Sequence, residues 1–127
     1  MKVRWLDRRI AAPGPFLALC LSEAEFKAAM RHLRLKDYGA WISNDHSYAT
    51  AHYIRTPAGK LCCVVCLRGA ENHSPVEVAG LLVHEAVHAW QEYAADIGEA
   101  SPGREQEAYA IQSIAQELMA EFARRLR

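Results

Sequence analysis

Two histidines and a glutamate in this sequence stand at a spacing that suits metal-dependent hydrolysis. The segment His84-Glu85-Ala86-Val87-His88 has the pattern H-E-x-x-H. On an α-helix, residues four apart lie about 40° apart around the axis and ~6 Å along it, so both imidazoles aim at one point. Zinc binds neutral imidazole nitrogen, and a carboxylate beside it can take a proton from water. We therefore expect His84 and His88 to bind Zn²⁺ and Glu85 to act as general base.

A zinc ion that keeps one position open for water needs a third protein ligand. The longer pattern H-E-x-x-H-x-x-G-x-x-H is absent, so the candidates are acids downstream of the motif. These are Glu92, Asp96, Glu99, Glu105 and Glu107. Glu92 is on the helix of the motif and would fit only with strain. Glu105 and Glu107 begin the next predicted helix on opposite sides of its apolar stripe, and spacing alone does not choose between them.

The helix that carries the motif is predicted over residues 75–95. Ser74 is the expected cap, Pro75 suits the first helical position and Gly98 ends the helix. Apolar residues on most of its sides predict a central, buried helix. They are Val78, Leu82, Val83, Val87, Trp90 and Ile97. The exception is a narrow polar stripe, which is either a functional surface or simply the solvated side of the helix. It consists of Glu77, His84, His88 and Gln91, and Gly80 leaves it open.

The final helix is predicted to begin at Ser101-Pro102 and to pack back against the motif helix. Its expected apolar stripe is formed by Ala108, Ile111, Ala115, Leu118 and Phe122. Arginines at its end suit the negative end of the helix dipole.

Upstream of the motif, the pattern predicts strands at residues 16–21, 47–55 and 61–67, with a further short strand possible at 40–42. A helix should begin after Ser22 and end near Leu35, because Ser22 is a good cap with acids in the following turn. The turn Thr56-Pro57-Ala58-Gly59 joins the last two strands into an antiparallel hairpin. We therefore expect one α+β domain over residues 1–127: an N-terminal helix, a short antiparallel sheet and two packed helices.

The charge balance excludes some classes of partner. The 127 residues hold 15 lysines and arginines against 15 aspartates and glutamates. Nucleic-acid binding normally shows a basic excess, and anionic membranes attract basic clusters, so we expect neither partner. No apolar run approaches the roughly 20 residues that span a bilayer.

The cysteines indicate a reducing compartment. The chain contains Cys20, Cys62, Cys63 and Cys66. Because neighbours on a strand point to opposite faces, Cys62 and Cys66 share a face that Cys63 does not. We interpret all four as buried, reduced thiols rather than a redox or metal site, and we expect a cytoplasmic protein. Pro13-Gly14-Pro15 interrupts the apolar N-terminal stretch, which argues against an export signal.

The motif also carries a resemblance. His84-Glu85-x-x-His88, followed by Glu105 with Ala108 three residues later, resembles the gluzincin pattern of H-E-x-x-H and then E-x-x-A on the next helix. Over roughly residues 47–122 the chain is similar to small phage- and prophage-encoded zincin-like metallopeptidases. This resemblance implies a minimal zincin-like domain with Zn²⁺ bound by His84, His88 and Glu105. It also implies Glu85 as general base, and the hydroxyl of Tyr109 near the metal.

The expected substrate is a peptide or protein. Strand 47–55 could pair with an extended peptide, and His46, His52 or Tyr53 could stabilise the oxyanion. Three alternatives stay open: a zincin-like metal-binding interaction protein with weak or no catalysis, a metal-free α+β domain, and a thiol redox protein.

Overall fold

A computed structural model describes residues 2–6 and 16–126 of the chain. The Pro13-Gly14-Pro15 segment that argued against an export signal lies outside these residues. The elements in chain order are β1 (Phe16–Cys20), α1 (Glu23–His32), β2 (Ala49–Arg55), β3 (Leu61–Leu67), α2 (Pro75–Asp96) and α3 (Arg104–Arg125), with a short 3₁₀ turn at Ala70–Asn72. The α+β class is confirmed, with two long C-terminal helices packed together.

The sheet has three strands in the order β1-β3-β2. β2 and β3 form the predicted antiparallel hairpin, in which Tyr53 lies opposite Cys63. The expectation of a wholly antiparallel sheet is wrong, because β1 pairs with β3 in parallel. Parallel strands need a crossover connection, and the chain that includes α1 supplies it. Residues 40–42 form no strand.

An apolar layer packs against each of the two faces of the sheet. Leu17 and Val65 point to the side of α2 and α3, whereas Ala18 and Val64 point to the side of α1. Because β1 and β3 are covered on both faces, both read as continuous apolar runs in the sequence. The predicted buried cysteines follow the same alternation, and all four are buried free thiols.

Helix α2 begins at a capping box formed by Ser74 and Glu77. The Glu77 backbone N–H donates to the Ser74 hydroxyl at 3.2 Å, and the Ser74 N–H donates to the Glu77 carboxylate at 2.8 Å. The prediction that this helix is buried almost all round is wrong. Val83 is 40% exposed and Ile97 is 49% exposed. The sheet and α3 cover only part of the helix, so the polar stripe with the two histidines faces outward.

Helix α3 packs on α2 through a stripe that differs in phase from the predicted one. Ala115, Leu118 and Phe122 are buried as expected, but Ala108 is exposed. Ala110 and Ile114 are buried instead, which brings Glu107 onto the side that faces α2 because residues three and seven apart share a face. In the described part of the chain, no helix has the apolar length that crossing a bilayer requires.

Candidate metal centre

The side chains of His84 and His88 converge on the open side of α2. Their Nε2 atoms lie 3.2 Å apart, and the ring planes meet at 78°. Two nitrogen ligands of a tetrahedral zinc ion at bonds of 2.0–2.1 Å lie about 3.3 Å from each other. The two nitrogens are therefore within hydrogen-bond distance of each other, and the same separation suits two ligands of one ion. Both rings are exposed.

A neighbouring amide fixes the orientation of His88. Nδ1 of His88 and Oε1 of Gln91 lie 2.9 Å apart. An amide oxygen can only accept, so Nδ1 is the donor of this bond, and a neutral His88 then has its lone pair on Nε2. Zinc-binding histidines are normally held in this way by a hydrogen bond from the other ring nitrogen. The lone pair of His88 accordingly faces the point at which His84 also aims.

Glu85, between the two histidines, turns away from solvent towards the sheet. Its side chain is buried, with 7% exposure. Burial raises its pKa, and the charges of His84 and His88 oppose that shift. Burial also raises the pKa of Cys63 on β3, and the carboxylate of Glu85 raises it further. The carboxylate therefore lies between the histidine pair and the inner face of the sheet.

A groove of about 540 Å³ runs beside His84 and Glu85, between the start of β2 and the first half of α2. Ala49 lies on its strand side and Gly80 on its helix side. Apart from its chain neighbours and the backbone of its own helix, nothing lies within 4 Å of the place where a Cβ on Gly80 would stand, so this glycine leaves the groove open as expected. β2 is one of the two edge strands of the sheet, and its first residue, Ala49, lines this groove.

The three residues considered for the oxyanion lie in different places. Tyr53 packs with the core on the α2 side, and its hydroxyl is buried with no hydrogen-bond partner among the described residues. His52 points to the other face of the sheet, where its ring contacts Phe26 at 4.6 Å between centroids. His46 is exposed in the loop before β2. Of these three residues, Tyr53 lies near Glu85. His52 lies on the opposite face of the sheet, away from the site.

The two acids at the start of α3 have different surroundings. Glu105 is exposed, whereas Glu107 is half-buried. Nε1 of Trp90 on α2 donates a hydrogen bond of 2.8 Å to Oε2 of Glu107. Across residues 2–6 and 16–126, no third histidine, cysteine, aspartate or glutamate joins the histidine pair in a metal-binding cluster. The structure therefore brings together two of the three expected ligands, and neither acid joins them.

Tyr109, expected near the metal, is 64% exposed on the surface of α3. Sequence reasoning did not find the contacts of Gln91 with His88 and of Trp90 with Glu107. The first has a readable signal, because Gln91 stands three residues after His88 and residues at that spacing meet on a helix. The second depends on how α2 and α3 are rotated against each other, and no spacing within one helix reports that.

Comparison with known proteins does not assign this chain to a family. No protein-family model, curated protein or solved structure matches it. The functional argument therefore depends on the histidine pair, the buried carboxylate and the groove.

Proposed function

We propose that this protein is a zinc-dependent metallopeptidase of the zincin type, which hydrolyses peptide bonds in the groove beside α2. The observation that carries the proposal is the 3.2 Å separation of the His84 and His88 Nε2 atoms, with the buried Glu85 between these residues on the helix. Two imidazoles and one unpaired carboxylate are the donor set and the base that this chemistry needs.

His84 and His88 would hold the metal, and a carboxylate of α3 would be the third ligand. The family resemblance implies Glu105. Glu107 is the alternative, because it lies on the side of α3 that faces α2, where it accepts a hydrogen bond from Trp90. Neither acid joins the histidine pair among the described residues, so the one that acts as ligand would have to turn towards it. Zinc titration of Glu105→Gln beside Glu107→Gln decides between them.

Bound Zn²⁺ supplies the Lewis acidity that polarises a carbonyl and makes water nucleophilic at neutral pH. Glu85 accepts the proton of the attacking water and passes it to the nitrogen of the leaving amine, which breaks the C–N bond. Burial against the sheet restricts the side chain of Glu85, so its carboxylate is held in one place for both transfers. Gln91 keeps His88 in the tautomer that presents Nε2.

An extended peptide is the substrate that the groove fits best. The outer edge of β2 offers backbone donors and acceptors, and a peptide that pairs there adds a strand to the sheet. The open space over Gly80 gives one substrate side chain room beside His84. Binding by backbone contacts predicts a broad tolerance of substrate sequence.

Digestion of a peptide library by the zinc-loaded protein tests this function. We expect cleavage by the wild type and a loss of about 10²–10⁴-fold in Glu85→Gln, which is the usual contribution of a general base. Glu85→Gln should still bind zinc, and Glu117→Gln on α3, the same change away from the site, should cleave normally. If zinc binds but no peptide is cleaved, the interaction-protein alternative replaces the peptidase. If Glu85→Gln cleaves at the wild-type rate, Glu85 is not the base.

A further inference from the structure

The groove beside α2 extends from His84 to a second cluster of polar and aromatic side chains. Tyr48 lines it on the strand side, and His73 and Glu77 line it at the start of α2. The rings of Tyr48 and His73 meet edge to face at 4.6 Å between centroids, and Nδ1 of His73 lies 3.9 Å from Oε2 of Glu77. We call these three residues the distal end of the groove.

Glu77 and His84 lie on one stripe of α2. They are seven residues apart, which is about two helical turns and ~10 Å along the axis. An extended peptide spans roughly 3.3 Å per residue, so about three residues cover this distance. Gly80 lies between the two side chains and leaves the way open. A long side chain on the second or third residue from a bond held at His84 can therefore reach Glu77.

The groove presents carboxylates to whatever binds in it. Hydrogen bonds with Ser74 lower the pKa of Glu77, so this residue is charged at neutral pH, and its side chain is 62% exposed. Glu85 also lines the groove; it is 7% exposed, and its carboxylate accepts no hydrogen bond from the described residues. No lysine or arginine among the described residues lines the groove. A positively charged ligand would therefore find acceptors that no lysine or arginine of this lining occupies.

The ring of Tyr48 gives the distal end an aromatic wall. It is 51% exposed. Arg68 contacts this ring at 5.8 Å from its centroid, but its guanidinium donates to the backbone oxygens of Asp45 and Ser47 and does not line the groove. Lysine and arginine pack their methylene stems on apolar surface while the charged end stays in water. Tyr48 and Glu77 together suit such a side chain.

Resting on the proposed function, we propose that the distal end of the groove selects a basic substrate residue, with Glu77 as the specificity-determining residue. Glu77 pairs with the ammonium or guanidinium group, and the methylene stem packs along Tyr48. The basic residue is the second or third from the scissile bond, on the side of His84 away from His88. The broad tolerance that backbone contacts give is therefore narrowed at this one position.

The binding of peptides with and without one positive charge tests the inference apart from catalysis. The probes are fluorescently labelled alanine-based peptides in which a single lysine is moved along the sequence, each beside the same peptide with acetylated lysine. Fluorescence anisotropy of the full chain, with a chelator present to prevent cleavage, gives the affinities. We expect lysine at the favoured position to bind about 2–5-fold more tightly than acetyl-lysine, as for an exposed ion pair. High salt should reduce this preference.

Glu77→Gln is the decisive variant, because glutamine at this position can still form the capping box with Ser74. The affinity ratio of the two peptides should fall to about one in Glu77→Gln and keep its wild-type value in Glu117→Gln on α3. Gly80→Leu should weaken the binding of both peptides, because its side chain occupies the groove. An unchanged ratio in Glu77→Gln, equal or unmeasurable binding of the two peptides by the wild type, or normal binding by Gly80→Leu would overturn the inference.

Cleavage by the zinc-loaded protein separates this inference from the proposed function. If the lysine preference in binding is present and is lost in Glu77→Gln, the selective site is supported even when no peptide is cleaved, and only the peptidase proposal fails. If the peptide library is cleaved without any preference for lysine or arginine near the scissile bond, the selective site is overturned and the peptidase proposal stands.

Discussion

Two carboxylates are buried in the described part of the chain, and their surroundings are opposite. Glu121 on α3 is 3% exposed and accepts hydrogen bonds from Arg124 at 2.6 and 2.8 Å and from Arg125 at 2.7 Å. Glu85 on α2 is 7% exposed and has two histidines as its nearest charged influences. The hydrogen bonds from Arg124 lower the pKa of Glu121, whereas burial raises the pKa of Glu85.

The difference separates an acid with a structural role from one that we propose to be functional. Around Glu121, the guanidinium groups offset the cost of burying a charge, and Arg125 also donates to the backbone oxygen of Leu19 on β1. The cluster therefore joins α3 to the first strand. At Glu85 no lysine or arginine among the described residues pairs with the carboxylate, and the two histidines only partly offset the cost of burial. Active sites commonly contain locally destabilising groups of this kind. The loss of hydrolysis in Glu85→Gln, described above, is the largest effect that this comparison predicts.

Removal of the charge at Glu121 should reduce the stability of the fold. Glu121→Gln leaves Arg124 without its carboxylate and Arg125 with Glu25 as its remaining ion-pair partner. We expect the free energy of unfolding to fall by about 2 kcal/mol, less than for a fully buried pair because the arginines are partly exposed. Urea unfolding measures the change, and zinc affinity should stay the same. A loss of zinc binding at unchanged stability would reverse the roles assigned to the two acids.

Low pH should also remove the stabilisation that the charged Glu121 provides. Because the pKa of Glu121 is lower in the folded than in the unfolded protein, its stabilising effect is present above the unfolded value, about 4.3, and is lost as the pH falls through the folded value. The wild type should therefore lose its advantage over Glu121→Gln progressively as the pH falls below about 5. Unfolding curves of both proteins across this range check the sign. A difference that is constant with pH would show that the arginine contacts do not stabilise the charged form.

Of the substitutions at the two buried acids, Glu85→Gln should change the stability less. Unlike Glu121→Gln, it should raise the stability. In the metal-free protein the substitution removes a buried charge that the two histidines only partly offset, so we expect a gain of about 1 kcal/mol. Thermal unfolding in the presence of a chelator measures it, with Glu117→Gln as the matched control. A loss of stability would indicate that the carboxylate has a structural partner and would weaken the contrast with Glu121.

Local features of the fold could be read from the sequence, and long-range ones could not. The bounds of β3 and the start of α2 follow from a β-branched run and from the Ser74 capping box, which are both local signals. The parallel pairing of β1 with β3 joins segments that are far apart in the chain, so no turn residue in the sequence indicates it. The exposure of Val83 was missed because periodicity counts apolar residues but does not show which neighbours cover them.

The candidate site shows the same contrast between local features, which the sequence predicts, and long-range ones, which it does not. The convergence of His84 and His88 follows from helix geometry alone, and the structure has them as expected. The surroundings of Glu105 and Glu107 depend on how α3 is rotated against α2, which the Trp90 contact with Glu107 reflects and the sequence does not. Tyr109 was placed near the metal by its position one turn after Glu105, but it lies on an exposed surface of α3.

Titration of the metal-free protein with zinc, wild type beside His88→Ala, tests the central claim most directly. We predict one equivalent of tightly bound Zn²⁺ in the wild type and a loss of that binding in His88→Ala, with an unchanged fold by circular dichroism. Absence of zinc binding in the wild type, or equal binding by both proteins, would contradict the assignment of the histidine pair as a metal centre.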